Sequence, residues 1–134
     1  MSVGPARMGD MTTETRPDIQ LGSVVLDTDN PKQLAEFYAA LLGWRITNVE
    51  DDWVDLEGEG GAGLAFQLAV NHKPPTWPAN EVPQQLHLDL DVPDLEEAAS
   101  YAESLGAQRV QGAGSDRNFI VLTDPSGHPF CVCS

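Results

Sequence analysis

The amino-acid sequence contains two copies of one motif, and this internal repeat limits the possible folds more than any other feature. The segment SVVLDTDNPKQLAEFYAALLGWRI, which begins at Ser23, superposes on HLDLDVPDLEEAASYAESLGAQRV, which begins at His87. Asp27 then falls on Asp91. Each copy, together with the residues that follow it, spans roughly fifty residues, fewer than an average independent domain contains. The repeat therefore predicts two related modules.

Each copy of the motif contains one predicted amphipathic helix. Apolar residues recur with helical spacing in both copies. They are Leu34, Phe37, Tyr38, Leu41 and Leu42 in the first copy and Leu95, Ala98, Ala99, Ala102 and Leu105 in the second. Asn30 and Asp94 are good N-caps, because their side chains accept hydrogen bonds from free backbone N–H groups of the first turn. Gly43 and Gly106 are typical residues at helix ends.

Short segments with strand character surround each predicted helix, one before it and three after it. The segments are 23–27, 44–48, 52–57 and 63–69 in the first copy, and 87–92, 107–111, 118–123 and 129–133 in the second. Within them, Phe66-Gln67 resembles Phe130-Cys131. The repeated order βαβββ predicts an α+β fold, in which two tandem modules pair their sheets into a curved, incompletely closed cup with the helices outside.

The repeat also defines the expected domain organisation. The modules cover about residues 20–69 and 84–133, and the proline-rich loop 70–83 links them. Residues 1–18 are polar and have no periodic pattern, so we expect a flexible N-terminal tail. The length of 134 residues corresponds to a single domain, at 19–134.

The composition excludes several classes of partner. The chain has 7 Lys and Arg against 21 Asp and Glu, which gives a net charge of −14. Such a surface repels the phosphates of nucleic acids, and no cluster of Lys and Arg is present, so we expect no nucleic-acid binding. No apolar run approaches the roughly 18 residues of a membrane span, so we expect no membrane insertion. Cationic or neutral small molecules are compatible with this charge.

The cysteines and the N-terminal residues predict a cytoplasmic location. Cys131 and Cys133 lie one residue apart in a predicted strand. Both side chains of such a pair point to the same side of an extended backbone, which is a poor arrangement for a disulfide between them. The N-terminus has no apolar segment of the kind found in secretory signals. Both features fit a reducing compartment.

Several segments resemble the vicinal oxygen chelate superfamily, which includes glyoxalase I, extradiol dioxygenases and bleomycin-resistance proteins. They are the helix NPKQLAEFYAALLGW, the strand and helix HLDLDVPDLEEA and the turn DPSGHPF. More narrowly, PPTWPANEVPQQLHLDLDV and DPSGHPFCVC are similar to glyoxalase-like proteins of actinobacterial type. The resemblance covers residues 20–133 and implies the glyoxalase/bleomycin resistance/dioxygenase fold. It does not identify a reaction, because the superfamily hosts many chemistries.

The resemblance also implies where a metal would be held. Members of the superfamily bind a divalent metal through one side chain from each of four strands, and the corresponding positions here are Ser23, Gln67, His87 and Cys131. Only His87 is a strong ligand, and none of the four is a carboxylate that would balance the charge of the metal. We therefore expect no metal cofactor. An atypical site, if one forms, would use Gln67, His87 and Cys131.

Strand alternation indicates which side chains face the cup. Leu88 and Leu90 suit packing under the second helix, so His87 and Asp89 share the opposite face. His87 is either a general base, because its ordinary pKa of about 6.5 suits proton transfer at neutral pH, or a structural histidine bonded to Asp89. By contrast, His72 and the loop residue His128 are expected to be solvated or to stabilise turns.

Two tryptophans are expected near the ligand. Trp53 lies opposite Val54 on its strand and would form an aromatic wall of the cup. Trp77 lies in the loop 70–83 and has no periodic place in a core, so it belongs to a lid or to an arm that packs on the surface or on a partner subunit. The predicted ligand-binding residues are Ser23, Trp53, Gln67, Trp77, His87, Asp89 and Cys131.

Two functions follow as hypotheses. The first is a metal-free protein that binds a small organic ligand, cationic or aromatic, in its cup, as bleomycin-resistance proteins do. The second is a lyase or isomerase of glyoxalase type, with an atypical metal site or with His87 as general base. We favour the first, because the metal constellation is incomplete. Exposed sheet edges, together with the resemblance, favour a homodimer. The sequence leaves open whether the cup forms within one chain or across that dimer.

Overall fold

Two modules follow one another in the computed structural model, which describes residues 16–110 and 118–134. The first contains β1 (Ser23–Thr28), α1 (Pro31–Leu42), β2 (Arg45–Glu50), β3 (Trp53–Glu57) and β4 (Gly63–Leu68). The second contains β5 (Leu88–Asp91), α2 (Leu95–Ser104), β6 (Gln108–Arg109), β7 (Phe119–Thr123) and β8 (Pro129–Cys133). The order is βαβββ in both, which confirms the α+β prediction. Residues 1–15 of the predicted tail and residue 111 of a predicted strand lie outside the described residues.

Each module forms its own four-stranded sheet, and the two sheets have the same strand order. The orders are β1-β4-β3-β2 and β5-β8-β7-β6. In each sheet the first strand pairs in parallel with the last strand of its module, and the other neighbours are antiparallel. A parallel pair needs a long crossover connection, which the helix and the two intervening strands supply. The repeat in the sequence is therefore a repeat of topology.

The helices begin where the predicted caps place them. Asn30 Oδ1 accepts a hydrogen bond from the backbone N–H of Gln33 at 3.1 Å. Asp94 Oδ1 accepts the equivalent bond from Glu97 at 3.0 Å. Gly43 ends α1 with a φ of 71°, in the left-handed region that glycine adopts at least cost. Among the described residues, no helix is both long enough and apolar enough to cross a membrane.

Tyr38 of α1 packs against strands of both modules. Its ring stacks on Phe66 of β4, with ring centroids 5.8 Å apart. The same ring makes an edge contact with Phe130 of β8, with centroids 6.2 Å apart. All three residues are fully buried. Aromatic pairs of this kind contribute about 0.5–1.5 kcal/mol beyond their buried area, so α1 helps to hold the second sheet as well as the first.

The two modules differ in the environment of equivalent helix residues. Phe37 of α1 is buried, whereas Tyr101, which occupies the matching position of α2, is 49% exposed. The Tyr101 hydroxyl donates a hydrogen bond to the Ala40 carbonyl at 3.2 Å, so it lies over the surface of α1. Strand β6 has only two residues, Gln108–Arg109, within the predicted segment 107–111.

The residue pairing between strands corrects one detail of the sequence alignment of the two copies. Gln67 lies beside Asp27 in the first sheet, and Cys133 lies beside Asp91 in the second. Because Asp27 corresponds to Asp91 in the repeat, the structural counterpart of Gln67 is Cys133, two residues beyond Cys131. A shift of two residues keeps the side chain on the same face of the sheet. Cys131 therefore faces the same side of the sheet as Cys133, and it lies beside Asp89 rather than beside Asp91.

Candidate functional site

A cavity of about 460 Å³ lies against the face of the second sheet that is turned away from the core. Side chains of β5, β7 and β8, residues directly next to these strands and one residue of the linker surround it. The lining residues are Trp77, His87, Asp89, Asn118, Phe119, Val121, Cys131, Cys133 and Ser134. Pockets for small organic ligands measure about 300–1,000 Å³, so this cavity has the size of a ligand site. We refer to it as the second-sheet cavity.

Strand alternation explains why residues of different strands share this face. Phe130 and Val132 of β8 are buried in the core, so Cys131 between them points to the opposite side. Asp89 lies beside Cys131 in the ladder, and Val121 lies on its other side. This row crosses three strands of the sheet. It forms the floor of the second-sheet cavity, on the face that the sequence predicted for Asp89.

Three polar side chains meet in the second-sheet cavity. His87 Nε2 lies 3.1 Å from Asp89 Oδ1. Cys131 completes the group, because one ligand atom from each of the three residues lies within 4.8 Å of the other two. The side chains of His87 and Asp89 are 40% and 60% exposed, so a dissolved molecule can reach them. We call these three residues the polar triad.

The cysteines of the cavity are poorly suited to nucleophilic attack. Burial raises the pKa of Cys131 to about 11, and the neighbouring Asp89 carboxylate adds to the increase. Burial also raises the pKa of Cys133. Both are free thiols, as their shared strand face predicted. Catalytic cysteines need positive neighbours that stabilise the thiolate, so the polar triad is better suited to receive a positive or hydrogen-bonding group.

The polar triad also contains donor atoms that suit a metal ion. Imidazole nitrogen, carboxylate oxygen and thiolate sulfur are all ligands of Zn²⁺, and three protein ligands leave one coordination position open. Asp89 supplies the carboxylate that the positions implied by the resemblance lack. Ser23 and Gln67, two of those positions, are not among the residues that line the second-sheet cavity. The structure thus groups His87 and Cys131 with Asp89.

The two tryptophans predicted to contact the ligand lie beside different sheets. Trp77 lines the second-sheet cavity and is 39% exposed. Trp53 lies on β3 of the first sheet, where its Nε1 donates a hydrogen bond to Asp55 Oδ1 at 2.8 Å. Its neighbour in the ladder is Gln67. Of the seven predicted ligand-binding residues, the second-sheet cavity therefore brings together Trp77, His87, Asp89 and Cys131.

A buried polar cluster around Asp124 was not predicted from the sequence. Asp124 begins the turn between β7 and β8 and is 4% exposed. Tyr38 Oη donates a hydrogen bond to its carboxylate at 2.7 Å. The backbone N–H groups of Ser126 and His128 donate to it at 2.9 and 3.0 Å. The signal for this cluster is the segment DPSG, because an Asp side chain that binds backbone N–H groups two residues on is typical of turns.

The same turn also contacts the linker and the first module. His72 Nε2 lies 3.1 Å from the Ser126 carbonyl oxygen, and Thr28 Oγ1 lies 2.7 Å from Ser126 Oγ. His128 Nδ1 lies 3.0 Å from an Asp124 carboxylate oxygen. Of the two roles expected for His72 and His128, solvation or turn stabilisation, these contacts support turn stabilisation. The cluster joins the modules and has a structural role.

Comparison with known proteins places the fold among glyoxalase relatives. Residues 23–133 match a family model described as a glyoxalase-like domain. No curated protein matches the chain at a significant level.

Solved structures of similar fold come from several bacteria. A glyoxalase/bleomycin resistance protein/dioxygenase family enzyme from Burkholderia phytofirmans PsJN superposes with a TM-score of 0.66 at 16% identity, over 85% of this chain and 97% of that one. A glyoxalase-related enzyme from Fulvimarina pelagi gives 0.64 at 17% identity, over 85% and 86%. A protein described as a possible glyoxalase from Bacillus cereus gives 0.63 at 11% identity, over 87% and 100%. Likeness at these identities shows the fold alone.

Proposed function

Because the chain belongs to the glyoxalase-like domain family, we propose that it binds a small organic cation in the second-sheet cavity, without the metal site usual in the superfamily. The observation that carries the proposal is the position of Asp89, whose carboxylate lies in the wall of a mostly apolar cavity of about 460 Å³. A carboxylate beside apolar and aromatic side chains forms a charge-assisted hydrogen bond with a positive partner and repels an anion.

Aromatic side chains support a cationic ligand. Trp77 and Phe119 line the same cavity as Asp89. The faces of aromatic rings attract organic cations, with about 0.5–2 kcal/mol for each contact. When His87 carries its proton on Nε2, it donates to Asp89 Oδ1 and leaves the second carboxylate oxygen for the ligand. His87 then orients the group that binds the cation.

The charge of the whole chain favours the same class of ligand. The net charge of −14 produces a field that attracts cations towards the surface. Salt screens this field beyond about 8 Å at physiological ionic strength. A direct contact with Asp89 is screened less, because it acts at a distance well inside that screening length. The field therefore affects mainly the rate of approach, and Asp89 determines where the cation binds.

Calorimetric titration with ligands of similar size tests the proposal. Benzylamine, benzyl alcohol and benzoate represent the cationic, neutral and anionic classes, and we expect benzylamine to bind most tightly. Asp89→Asn is expected to weaken benzylamine binding about tenfold, which corresponds to a charge-assisted hydrogen bond of about 1.4 kcal/mol.

The matched control is Asp91→Asn, which removes the same charge from the same face of β5 but from a residue that does not line the cavity. We expect it to change the affinity less than twofold. A preference for benzoate would contradict the proposal. Equal effects of the two substitutions would also contradict it, because the general field would then account for the preference.

A second candidate function is a lyase or isomerase of glyoxalase type, and the polar triad is the observation that favours it. His87, Asp89 and Cys131 present three metal-ligand atoms within 4.8 Å of one another. A divalent metal held by them would act as a Lewis acid on a carbonyl oxygen. In the metal-free form of this alternative, His87 would move the proton as general base.

Elemental analysis of protein purified without chelator separates the two functions. Our proposal expects well under one equivalent of zinc, nickel, iron or manganese per chain. Stoichiometric metal that is lost on His87→Ala would favour the enzyme. Titration with Co²⁺ identifies the cysteine ligand with two matched variants, Cys131→Ser and Cys133→Ser. A thiolate–cobalt absorption band that disappears in the first variant and persists in the second would show that Cys131 binds the metal. Turnover of a glyoxalase-type substrate would decide the same question directly.

A further inference from the structure

Two histidine rings lie side by side where the linker meets the turn between β7 and β8. The ring centroids of His72 and His128 are 5.1 Å apart, and the ring planes are inclined by 34°. Both residues line a second cavity, of about 440 Å³, whose wall also contains residues of β1, β5 and the linker. We call the two residues the histidine pair. They have no role in the proposed function.

One nitrogen of each ring is already bonded, and its partner determines where the neutral ring carries its proton. His72 Nε2 lies 3.1 Å from the Ser126 carbonyl oxygen, which can only accept, so this nitrogen carries the proton. His128 Nδ1 lies 3.0 Å from the Asp124 carboxylate, so in this ring Nδ1 carries it. His72 Nδ1 and His128 Nε2 are therefore left with a lone pair each.

Solvent reaches both of these lone pairs. No described residue forms a hydrogen bond with either of the two nitrogens. The two rings are only partly exposed, yet among the described residues the single buried side-chain nitrogen or oxygen without a partner is Gln84 Oε1. The two nitrogens thus lack a partner without being buried, so a dissolved ion can contact them.

The hydrogen bonds behind the rings are those of metal-binding histidines. A histidine that holds a metal usually donates its other N–H to a carboxylate or to a backbone carbonyl, which fixes the proton position and orients the ring. His128 has the first kind of partner, and His72 has the second. The pair therefore has the outer contacts of a metal site already in place.

The separation of the rings also fits a shared ion. Two imidazoles on one tetrahedral Zn²⁺ ion, with Zn–N bonds of about 2.0–2.1 Å, have ring centroids roughly 5 Å apart. The rings of the histidine pair are 5.1 Å apart. An ion could therefore bind both rings without a change in their spacing.

The charges around the histidine pair are compatible with a divalent cation. Asp27 lines the same cavity, and the buried Asp124 carboxylate lies behind His128. Lys73 also lines the cavity, but it is exposed, so its flexible side chain keeps the ammonium group in water. The net charge of −14 further favours the approach of a cation.

We propose that His72 Nδ1 and His128 Nε2 together bind a divalent transition-metal ion of the class that neutral imidazoles prefer, such as Zn²⁺ or Cu²⁺. The site shares no residue with the polar triad and does not depend on the proposed function. Two protein ligands hold an ion less firmly than the three or four of a resident site. We therefore expect the ion to be lost during purification and to bind again when it is added.

Long-range ¹H–¹⁵N NMR of the histidine side chains tests the site on protein without a polyhistidine tag. The chain has 3 histidines, so every ring can be followed. In metal-free protein at mildly alkaline pH, we expect His72 to carry its proton on Nε2 and His128 on Nδ1. Added Zn²⁺ is expected to shift the other nitrogen of each ring, and both shifts should give the same dissociation constant.

Two substitutions separate the histidine pair from the polar triad. His72→Phe keeps a flat ring and removes the nitrogen. Because loss of an outer partner alone costs about 10–100-fold in metal affinity, we expect this variant to weaken Zn²⁺ binding to His128 at least about tenfold. Cys131→Ser is the matched control, since it changes the triad and leaves the pair intact, and the response of His72 and His128 should be unchanged. The spectra of the unsubstituted protein remain decisive if His72→Phe is unstable.

Several outcomes would overturn the proposal. They are a proton on His72 Nδ1 or His128 Nε2 in the metal-free neutral rings, Zn²⁺ shifts confined to His87, a response of His128 that survives His72→Phe, and absence of shifts at millimolar Zn²⁺.

Failure of this proposal is distinguishable from failure of the proposed function. His72 does not line the second-sheet cavity, so His72→Phe is expected to leave the affinity for benzylamine within about twofold. Benzylamine binding without Zn²⁺ shifts at the histidine pair would contradict the metal site alone. Zn²⁺ shifts at the pair without a preference for benzylamine would contradict the proposed function alone.

Discussion

Asp124 connects α1 with the turn between β7 and β8 through a single buried carboxylate. A buried carboxylate is tolerated when its oxygens accept several hydrogen bonds, and Asp124 accepts them from its own turn and from Tyr38. The bond from Tyr38 spans the two modules. Burial, and then the nearby Asp124 carboxylate, raise the pKa of Tyr38 well above its ordinary value, so the phenol keeps its proton and remains a donor at neutral pH.

Substitution of Tyr38 is expected to test this connection. Tyr38→Phe removes one donor and leaves the Asp124 carboxylate buried with fewer bonds, so the free energy of unfolding should fall by about 1.5–3 kcal/mol. Urea denaturation measures the change. Tyr101→Phe is the matched control, because that hydroxyl is also bonded but the side chain is 49% exposed. We expect the control to cost less than about 0.5 kcal/mol. Equal losses would contradict the role of Tyr38.

The raised pKa of Cys131 predicts a loss of stability in alkali. In the unfolded chain the thiol ionises near its ordinary pKa of 9.0, whereas in the folded protein its pKa is about 11. Above pH 9 the unfolded state therefore binds fewer protons, and stability that is fully present below pH 9 is lost as the pH rises towards 11. Urea midpoints measured across this range should fall, and Cys131→Ala should reduce the slope. An unchanged slope in that variant would contradict the assignment.

The linker and the turn between β7 and β8 fit together because one residue lacks a side chain. Gly127 of the turn has a φ of 91°, which L side chains rarely adopt. A Cβ atom there would also overlap Pro74 Cβ of the linker. The absence of a side chain at Gly127 thus permits both the turn and the close approach of the linker.

Two glycine substitutions separate the cost of the positive φ from the cost of the overlap with Pro74. Gly127→Ala and Gly60→Ala both place alanine in the left-handed region, because Gly60 has a φ of 74°. That change alone costs about 1–2 kcal/mol. At Gly60 no atom lies within 4 Å of the added Cβ, whereas at Gly127 Pro74 must move. We expect Gly127→Ala to lower the free energy of unfolding by at least about 1 kcal/mol more and to shift the resonances of the linker. Equal costs would show that Pro74 is not held against the turn.

The surface of the whole molecule offers an edge for association. Strand β2 lies at the edge of the first sheet, and its Val49 is 54% exposed. An edge strand presents unpaired backbone N–H and C=O groups, which pair with another chain unless charge or a covering segment prevents it. We propose that the homodimer expected from the sequence pairs through β2.

Light scattering tests the homodimer. At micromolar concentration we expect a mass twice the 14.5 kDa of the chain. Val49→Lys places a charge on the edge strand and is expected to shift the mass towards the monomer. Val70→Lys is the control, because Val70 is 76% exposed outside the strands and should leave the mass unchanged. A mass near 14.5 kDa for the unsubstituted protein would contradict the dimer.

Patterns within a few residues of one another were enough to predict the modules. Helical spacing and the caps Asn30 and Asp94 located both helices, because capping and amphipathic packing depend on neighbours along the chain. Alternation along the predicted strand 87–92 placed His87 and Asp89 on one face, because side chains of a strand alternate whatever the strand pairs with. These two residues of the candidate site were therefore predictable from the sequence.

Contacts between residues that are distant in the sequence determined the remaining features of the fold and the site. The register that makes Cys133 rather than Cys131 the counterpart of Gln67 depends on which residues meet across parallel strands, and local spacing does not specify that. The placement of Trp53 on one sheet and Trp77 beside the other depends on the path of the linker. The Tyr38–Asp124 bond joins residues 86 positions apart, and its donor lies in an apolar stripe that a sequence pattern assigns to the core. Contacts of this kind arise only when the modules pack, because their energy depends on geometry that no short segment contains.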